Sequence, residues 1–290
     1  MTHALPPLKR ILAIHDLSGV GKCSLTVALP VISAAGVECS CMPTAVLSTH
    51  SGDFSGFTRH DLSGELLPMA RHWQREGVRF DGIYTGYLAS AQQAALVEEV
   101  IDMLASPETL VLVDPVMADN GAYYSGFDGE ICAAFRRLCA RADLITPNMT
   151  EAALLTGKRY TAGSVTEAEA EALLRELTAL GAKAAALTGV RLSEREIGNA
   201  ALDAESGKLC CSMRPTRSGI FYGTGDLFAS AMAALLVRQA PVSRALETAT
   251  ALVDRSIERS VLRGGDRRYG VDFEGALPEF MLDVQRLFAE

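Results

Sequence analysis

A glycine-rich turn followed directly by an apolar run stands at Gly223-Thr224-Gly225-Asp226-Leu227-Phe228-Ala229 and predicts the start of a helix. Glycines let a backbone approach a ligand closely. The first N–H groups of a helix are unpaired and lie at the positive end of its dipole, so they suit a phosphate. An acid such as Asp226 is unexpected at a site that binds anions. Its presence indicates a catalytic base that deprotonates a hydroxyl while the N–H groups hold the phosphoryl group that is transferred. The alternative is an ordinary first-turn Asp after a common Gly-x-Gly loop.

The composition is that of a globular protein. The chain has 290 residues, 49% of them hydrophobic, and a formal net charge of −8, which is ample for one large domain. It contains no block rich in Lys or Arg, so we expect neither nucleic acid nor an anionic membrane as a partner. No apolar run is long enough to span a membrane, and residues 1–10 lack the layout of a signal peptide.

Cysteine usage points to a reducing compartment. The chain has seven Cys, an odd number for its length, which favours free thiols and a cytoplasmic location. Cys39-x-Cys41 and Cys210-Cys211 lie in strand-like segments, and neither pair has the spacing of a zinc ligand set.

Short apolar segments alternate with helical ones, which predicts an α/β fold with a mostly parallel central sheet and helices on both faces. The predicted strands are 10–15, 38–47, 82–85, 109–113, 144–146 and 183–188, and the helices are 24–35, 61–76, 91–104, 130–141, 166–180 and those starting at 225, 242 and 275. A hairpin joins 197–202 to 209–214 through the loop 203–207. With no repeat or linker, we expect one domain over residues 1–290.

Polar residues follow five of the predicted strands. In such sheets the ligand binds at the carboxyl ends of the strands. The shared position of these polar residues therefore indicates a ligand site more strongly than any single motif does. The segments are His15-Asp16-Leu17-Ser18-Gly19, Thr85-Gly86-Tyr87, Asp114-Pro115, Thr146-Pro147-Asn148 and Thr188-Gly189.

The segment Ser18-Gly19-Val20-Gly21-Lys22-Cys23-Ser24 is similar to a Walker A loop but departs from its pattern. The pattern requires Gly, four residues and then Gly-Lys-Ser/Thr. Here Asp16 stands at the first glycine position, and Cys23 follows Lys22 where a hydroxyl should ligate magnesium. We therefore interpret these glycines as a close-approach turn that leaves room for a substrate.

Two acidic segments are candidate cation sites. Asn148 and Glu151 are three residues apart and share a helix face, so Glu151 could hold Mg²⁺ directly or through water while Asn148 reaches a phosphate. The alternative is a helix N-cap at Asn148 or Thr150 with Glu in the first turn. Asp114 and Asp119 place two carboxylates in one connection, which suits a hard cation near a triphosphate or, alternatively, a solvated turn.

Three motifs in order along the chain resemble the ribokinase-like superfamily, in particular its vitamin kinases, over about residues 11–260. They are Asp114-Pro115-Val116-Met117, Thr146-Pro147-Asn148-x-x-Glu151 and Gly223-Thr224-Gly225-Asp226. Three further stretches resemble the pyridoxal, pyridoxamine and pyridoxine kinases. They are Thr44-Ala45-Val46-Leu47-Ser48-Thr49-His50, Thr85-Gly86-Tyr87-Leu88-x-Ser90 and Asp119-Asn120-Gly121-Ala122-Tyr123-Tyr124-Ser125.

The resemblance implies phosphorylation of the 5′-hydroxymethyl group of a B6 vitamer, with ATP as phosphoryl donor, Mg²⁺, a monovalent cation (K⁺ or Na⁺) and a homodimer. It implies Asp226 as the catalytic base, with Gly223, Thr224 and Gly225 as the anion hole. The other matched positions are Asp114, Thr146, Asn148 and Thr188 beside the nucleotide, Glu151 beside magnesium, Asp119 beside the monovalent cation, and Thr44, Tyr87 and Tyr124 (or Tyr123) in the substrate pocket.

The first-strand loop departs from this pattern, because pyridoxal kinases usually carry Ser where Asp16 stands. Asp16 could pair with a protonated ring nitrogen, an amine or the phenolic hydroxyl of the substrate. The loop is similar to that of hydroxymethylpyrimidine kinases, so a kinase of a thiamin precursor is the second reading. A sugar kinase would line its pocket with Asp and Asn, and a silent binding protein would lack a usable acid.

The segment 51–57, Ser-Gly-Asp-Phe-Ser-Gly-Phe, is rich in glycine and predicts a flap that closes over the site and excludes water. An ordinary surface loop is the alternative.

The departure from the Walker pattern predicts that Lys22 does not grip the nucleotide phosphates. Lys22→Ala should then change the KM for ATP only a few-fold in steady-state kinetics. A thousand-fold loss of kcat/KM for ATP, about 4 kcal/mol, would restore the Walker interpretation.

Overall fold

The computed structural model describes residues 7–203 and 207–289. The strands, in chain order, are β1 (Arg10–Ser18), β2 (Glu38–Leu47), β3 (Arg59–Asp61), β4 (Gly82–Thr85), β5 (Leu110–Val113), β6 (Ala118–Asp119), β7 (Ala122–Tyr123), β8 (Leu144–Ile145), β9 (Ala184–Ser193), β10 (Glu196–Asp203) and β11 (Leu209–Pro215). The helices are α1 (Leu25–Ala34), α2 (Ser63–Arg75), α3 (Ala91–Leu104), α4 (Gly129–Cys139), α5 (Met149–Thr156), α6 (Glu167–Thr178), α7 (Thr224–Val237), α8 (Val242–Arg263) and α9 (Leu277–Leu287).

Nine of these strands form one sheet within the described residues, in the order β11-β10-β9-β8-β5-β4-β1-β2-β3. The central strands pair in parallel, from β9 through β8, β5, β4 and β1 to β2. Antiparallel strands flank them, with β3 at one edge and the β10–β11 hairpin at the other. The predicted mostly parallel sheet and the hairpin are confirmed, although loop residues 204–206 lie outside the described residues.

The core consists of two layers, one on each face of the sheet. Alternate residues of a strand point to opposite faces, and β1 shows this directly. Ile11 and Ala13 pack with α1, α7, α8 and α9, whereas Leu12 and Ile14 pack with α2 to α6, and all four are fully buried. Helices therefore cover both faces of the sheet, as the alternation of elements predicts.

Two strands extend well beyond their predicted ends. The predicted first strand stops at residue 15, but β1 continues to Ser18 because β2 pairs along its whole length, with a register shift between His15 and Leu17. Asp16 therefore lies in a bulge of β1 and not in the loop after it. The predicted strand 183–188 ends at Thr188, but β9 continues to Ser193 because β10 pairs with it.

The predicted capping box at the start of one helix is confirmed, whereas Asp61, predicted to start a helix, lies in β3. Thr166 and Glu169 form a reciprocal capping box at the start of α6.

The short antiparallel pair β6–β7 is a feature that the sequence analysis missed, because strands of two residues leave no periodicity to detect.

Candidate active site

The N-terminus of α7 is open to an anion. Gly223 is its N-cap, and no side chain caps the helix within the described residues. Its first N–H groups are therefore available, with the helix dipole behind them. A Cβ at Gly225 would meet only open space, so the backbone at this position is accessible to a ligand.

Gly223 is required for a different reason, which is close packing. It has φ 81°, and a Cβ there would lie 2.1 Å from the carbonyl oxygen of Lys22. Any side chain would push the start of α7 away from the turn at residues 21–24. The glycine thus brings the α7 N-terminus and the end of β1 into one site.

Asp226 is half-buried in the first turn of α7. Loss of water raises its pKa to about 7, the backbone N–H of Ser24 opposes this shift, and the negative charge of Asp16 adds to it. A carboxyl whose pKa lies near neutral pH is well matched to accept a proton from an alcohol.

Two serine hydroxyls hold Asp16 in its bulge. Ser18 donates to Asp16 Oδ2 at 3.0 Å, and Ser24 donates to Oδ1 at 2.5 Å. Burial raises the pKa of Asp16, while the hydroxyls of Ser24 and Ser18 oppose the shift. Each carboxylate oxygen still has a lone pair for a further donor. Thr44 lies across from this bulge on β2 and is fully buried, with no partner for its hydroxyl among the described residues.

Tyr87 and Tyr124 approach the same space from two loops. Tyr87 stacks on Phe127 with ring centroids 5.6 Å apart. Burial raises the pKa of Tyr87, the positive charge of Arg59 lowers it, and the charge of Asp16 raises it. Burial also raises the pKa of Tyr124, together with the charges of four acids that include Glu151 and Asp226. The Phe127 N–H donates to the Tyr124 carbonyl at 3.0 Å, so the two predicted pocket tyrosines both contact Phe127.

Asp114 and Glu151 form a pair of buried acids. Burial raises the pKa of Asp114, and the charges of Glu151 and Asp226 raise it further. Burial raises the pKa of Glu151 to about 8, although it accepts hydrogen bonds from the backbone N–H groups of Asn148, Met117 and Ala118 at 2.9, 3.0 and 3.4 Å. Acids this close need positive charge to ionise together.

Asn148 caps α5, which is the alternative that the sequence analysis left open. Its side-chain oxygen accepts from the N–H groups of Thr150 and Glu151, and its amide donates to the Ala118 carbonyl at 2.8 Å. Thr188 and Asn148 form a parallel β-bridge, so their backbones lie side by side. Asp119 is exposed, and both of its oxygens accept hydrogen bonds from Asn120.

The Lys22 side chain is paired with the C-terminal segment of the chain. Its Nζ donates to the Val271 carbonyl at 2.9 Å and to Glu274 at 2.8 Å. These contacts tie the turn to the C-terminal segment, which accounts for a lysine that the Walker pattern does not explain.

The segment 51–57 is docked against the rest of the chain. His50 Nε2 lies 2.5 Å from the Arg268 carbonyl oxygen, and the Tyr222 hydroxyl donates to Asp53. The Phe54 ring packs edge-on against His50, with ring centroids 5.0 Å apart. The segment therefore contacts the residue immediately before Gly223, and its movement as a flap remains a prediction.

Sequence reasoning missed two residues of the site, Ser18 and Ser24. The available signals were the spacing Asp16-x-Ser18 and a serine directly before the apolar start of α1. His15, by contrast, is a packing residue. It is fully buried against Tyr84, with ring centroids 4.2 Å apart, and burial lowers its pKa to about 3.

Searched over residues 7–203 and 207–289, the helices include none that combines the length and apolarity needed to cross a membrane. The same residues contain no group of three or more His, Cys, Asp or Glu arranged to hold a metal ion.

Comparison with known proteins agrees with this geometry. The phosphomethylpyrimidine kinase family profile matches residues 28–270. The chain is 30% identical over 260 residues to a pyridoxine/pyridoxal/pyridoxamine kinase of Bordetella avium. The aligned region covers 84% of this chain and 83% of that protein.

Two solved structures superimpose closely. Pyridoxal kinase from Lactobacillus plantarum has a TM-score of 0.87 at 33% identity and covers 97% of this chain and 99% of its own. A phosphomethylpyrimidine kinase-family protein of Bacteroides thetaiotaomicron, crystallised with pyridoxal, has a TM-score of 0.90 at 34% identity and covers 94% and 96%. The chain therefore belongs to the phosphomethylpyrimidine kinase family, and its relatives in that family include pyridoxal kinases.

Proposed function

We propose that this chain transfers a phosphoryl group from ATP to the 5′-hydroxymethyl group of a B6 vitamer. The observation that carries the proposal is Asp226, a carboxyl with its pKa raised to about 7 in the first turn of a helix whose N-terminus is uncapped. A base and an anion site side by side are what an alcohol kinase needs.

The choice of acceptor rests on the relatives. Proteins that are 30% and 33% identical to this chain are B6-vitamer and pyridoxal kinases, and a third relative was crystallised with pyridoxal. These findings favour a B6 vitamer over the thiamin precursor. The thiamin precursor stays the second candidate because the family is named after a phosphomethylpyrimidine.

The chemistry follows from the positions of the residues. Phosphoryl transfer depends on alignment and charge neutralisation more than on covalent chemistry by the protein. Asp226 orients the vitamer hydroxyl and accepts its proton. The N–H groups of Thr224 and Gly225 stabilise negative charge on the phosphoryl oxygens, and Thr44, Tyr87 and Tyr124 hold the flat ring.

The acidic pair suits a magnesium–nucleotide complex. Mg²⁺ takes one or two carboxylates, substrate phosphates and several waters. Because Glu151 already accepts three backbone N–H groups, we propose that it holds the ion through water, with Asp114 beside it. The ion would neutralise phosphate charge. Thr146, Asn148 and Thr188 are proposed to border the nucleotide, and Asp119 a K⁺ or Na⁺ ion.

The cellular setting and assembly are part of the same proposal. All seven cysteines lie within the described residues and are free thiols, which supports a reducing compartment such as the cytoplasm. One nine-stranded sheet takes its strands from Arg10 through Pro215, which supports one catalytic domain. The homodimer implied by the resemblance remains a prediction.

A coupled assay of ADP release tests the function directly. We expect turnover with pyridoxal, pyridoxamine or pyridoxine, and much less with hydroxymethylpyrimidine or with ribose. Preferential turnover of hydroxymethylpyrimidine would replace the proposal with the second candidate.

Replacement of the base should abolish most of the turnover. Asp226→Asn keeps the size of the side chain but cannot accept the proton, and a positioned base contributes about a hundred- to ten-thousand-fold. We expect kcat to fall by that order while the affinity for ATP, measured by calorimetry, changes little. Near-normal kcat would remove Asp226 from the mechanism.

The raised pKa of Asp226 predicts a pH profile. Below about pH 7 the carboxyl is protonated and cannot act as a base, so kcat/KM for pyridoxine should fall about tenfold per pH unit and level off above pH 7. Asp226→Asn serves as the control, because its residual activity should lack this acidic limb. A wild-type profile that stays flat down to pH 5.5 would contradict the assignment.

Asp16 should favour a substrate with positive charge. Pyridoxamine carries a protonated amine where pyridoxal carries an aldehyde, and a charge-assisted contact contributes about 1.5–3 kcal/mol. We expect a ten- to hundred-fold preference for pyridoxamine in kcat/KM that shrinks in Asp16→Ser. A vitamer ratio unchanged by the substitution would mean that Asp16 only stabilises its turn.

A further inference from the structure

Ser24 occupies the N-cap position of α1 but does not cap it. Its carbonyl accepts the N–H groups of Val27 and Ala28 at 3.0 and 2.9 Å, as an N-cap carbonyl does. An N-cap serine normally has an extended backbone and accepts a helix N–H with its hydroxyl. Ser24 instead has φ 55° and ψ −128° and makes no side-chain cap bond.

The hydroxyl of Ser24 is used for another contact. It donates to Asp16 Oδ1 at 2.5 Å, and both residues are 4% exposed. A serine at positive φ is uncommon, and such strain tends to persist only where surrounding contacts impose it. The bond to Asp16 is one such contact, because it fixes the buried hydroxyl of this residue.

The turn that carries Ser24 packs against the start of the helix that carries Asp226. A Cβ at Gly223, three residues before Asp226, would lie 2.1 Å from the Lys22 carbonyl oxygen and 3.8 Å from Val27 Cγ2, and these two residues flank Ser24 in the sequence. Burial raises the pKa of Asp226, the backbone of Ser24 lowers it, and the charge of Asp16 raises it. Ser24 therefore holds Asp16 with its side chain, and its backbone belongs to the turn on which the first turn of α7 packs.

We propose that Ser24 is a positioning residue that fixes Asp16 and Asp226 relative to each other, so that vitamer recognition and proton acceptance depend on one strained turn. This inference rests on the proposed function and extends it. Without the hydroxyl, Asp16 loses a donor, and the turn relaxes towards negative φ and carries the N–H away from Asp226.

Ser18 provides the matched comparison. It also donates to Asp16, at 3.0 Å from Oδ2, but it lies within β1 and outside the turn that packs against the start of α7. Ser18→Ala should therefore raise the KM for the vitamer with little change in kcat. Ser24→Ala should raise that KM and also lower kcat about tenfold or more, the fold-change typical of one hydrogen bond to a charged group.

Glycine separates the two contacts of Ser24. Ser24→Gly loses the hydroxyl but adopts positive φ without strain, so the N–H can remain near Asp226. We expect it to share the raised vitamer KM of Ser24→Ala and to recover much of the lost kcat. Ser33→Ala, an exposed position on the same helix, serves as the control with wild-type constants.

The experiment is steady-state kinetics of these four variants with pyridoxamine and ATP, with thermal unfolding to confirm that each is folded. A second measurement adds Ser24→Ala to Asp226→Asn, where kcat should fall little further because the base is already absent. If Ser24→Ala keeps kcat within twofold of the wild type, or if the glycine variant loses as much kcat as the alanine variant, the inference is wrong. A wild-type protein that phosphorylates no vitamer would overturn the proposed function as well.

Discussion

The close contact between Gly223 and the Lys22 carbonyl is the constraint on which the rest of the site depends. Only a residue without Cβ can let the N-terminus of α7 approach the turn before α1 at this distance. That approach packs the helix that carries Asp226 against the turn whose Ser24 holds Asp16. Lys22 anchors the same turn by its side-chain contacts with Val271 and Glu274. The geometry of the candidate site is thus a consequence of main-chain packing between two distant parts of the sequence.

The acids of the candidate site share a second property, which is a pKa raised by burial. Burial raises the pKa of each of the carboxyls Asp16, Asp114, Glu151 and Asp226, and the acids act on one another. A protein does not gather buried like charges without cost. Under the proposed function, a metal cation that accompanies the nucleotide and a cationic vitamer beside Asp16 would offset this cost.

Several helices and strands have the bounds that the sequence predicts. Glu38–Leu47, Gly82–Thr85 and Ala91–Leu104 have the same bounds in the structure as in the sequence analysis, because apolar periodicity and turn residues agree there. The ends of β1 and β9 were wrong. Pairing with β2 and β10 extends these strands through polar residues, and a neighbouring strand is not visible in local sequence.

By itself the sequence determined the alternation of strands and helices, the glycine turn before α7 and the identity of the acids at the ends of the strands. These features are encoded in residues close together along the chain. Only the tertiary structure decided that Lys22 contacts the C-terminal segment, that the Asn148 side chain caps a helix, and that the Ser24 hydroxyl bonds to Asp16. The reason is physical: hydrogen-bond partners and burial are set by segments up to about 250 residues apart that the packed sheet brings together, and no local pattern specifies which partner a polar side chain will meet.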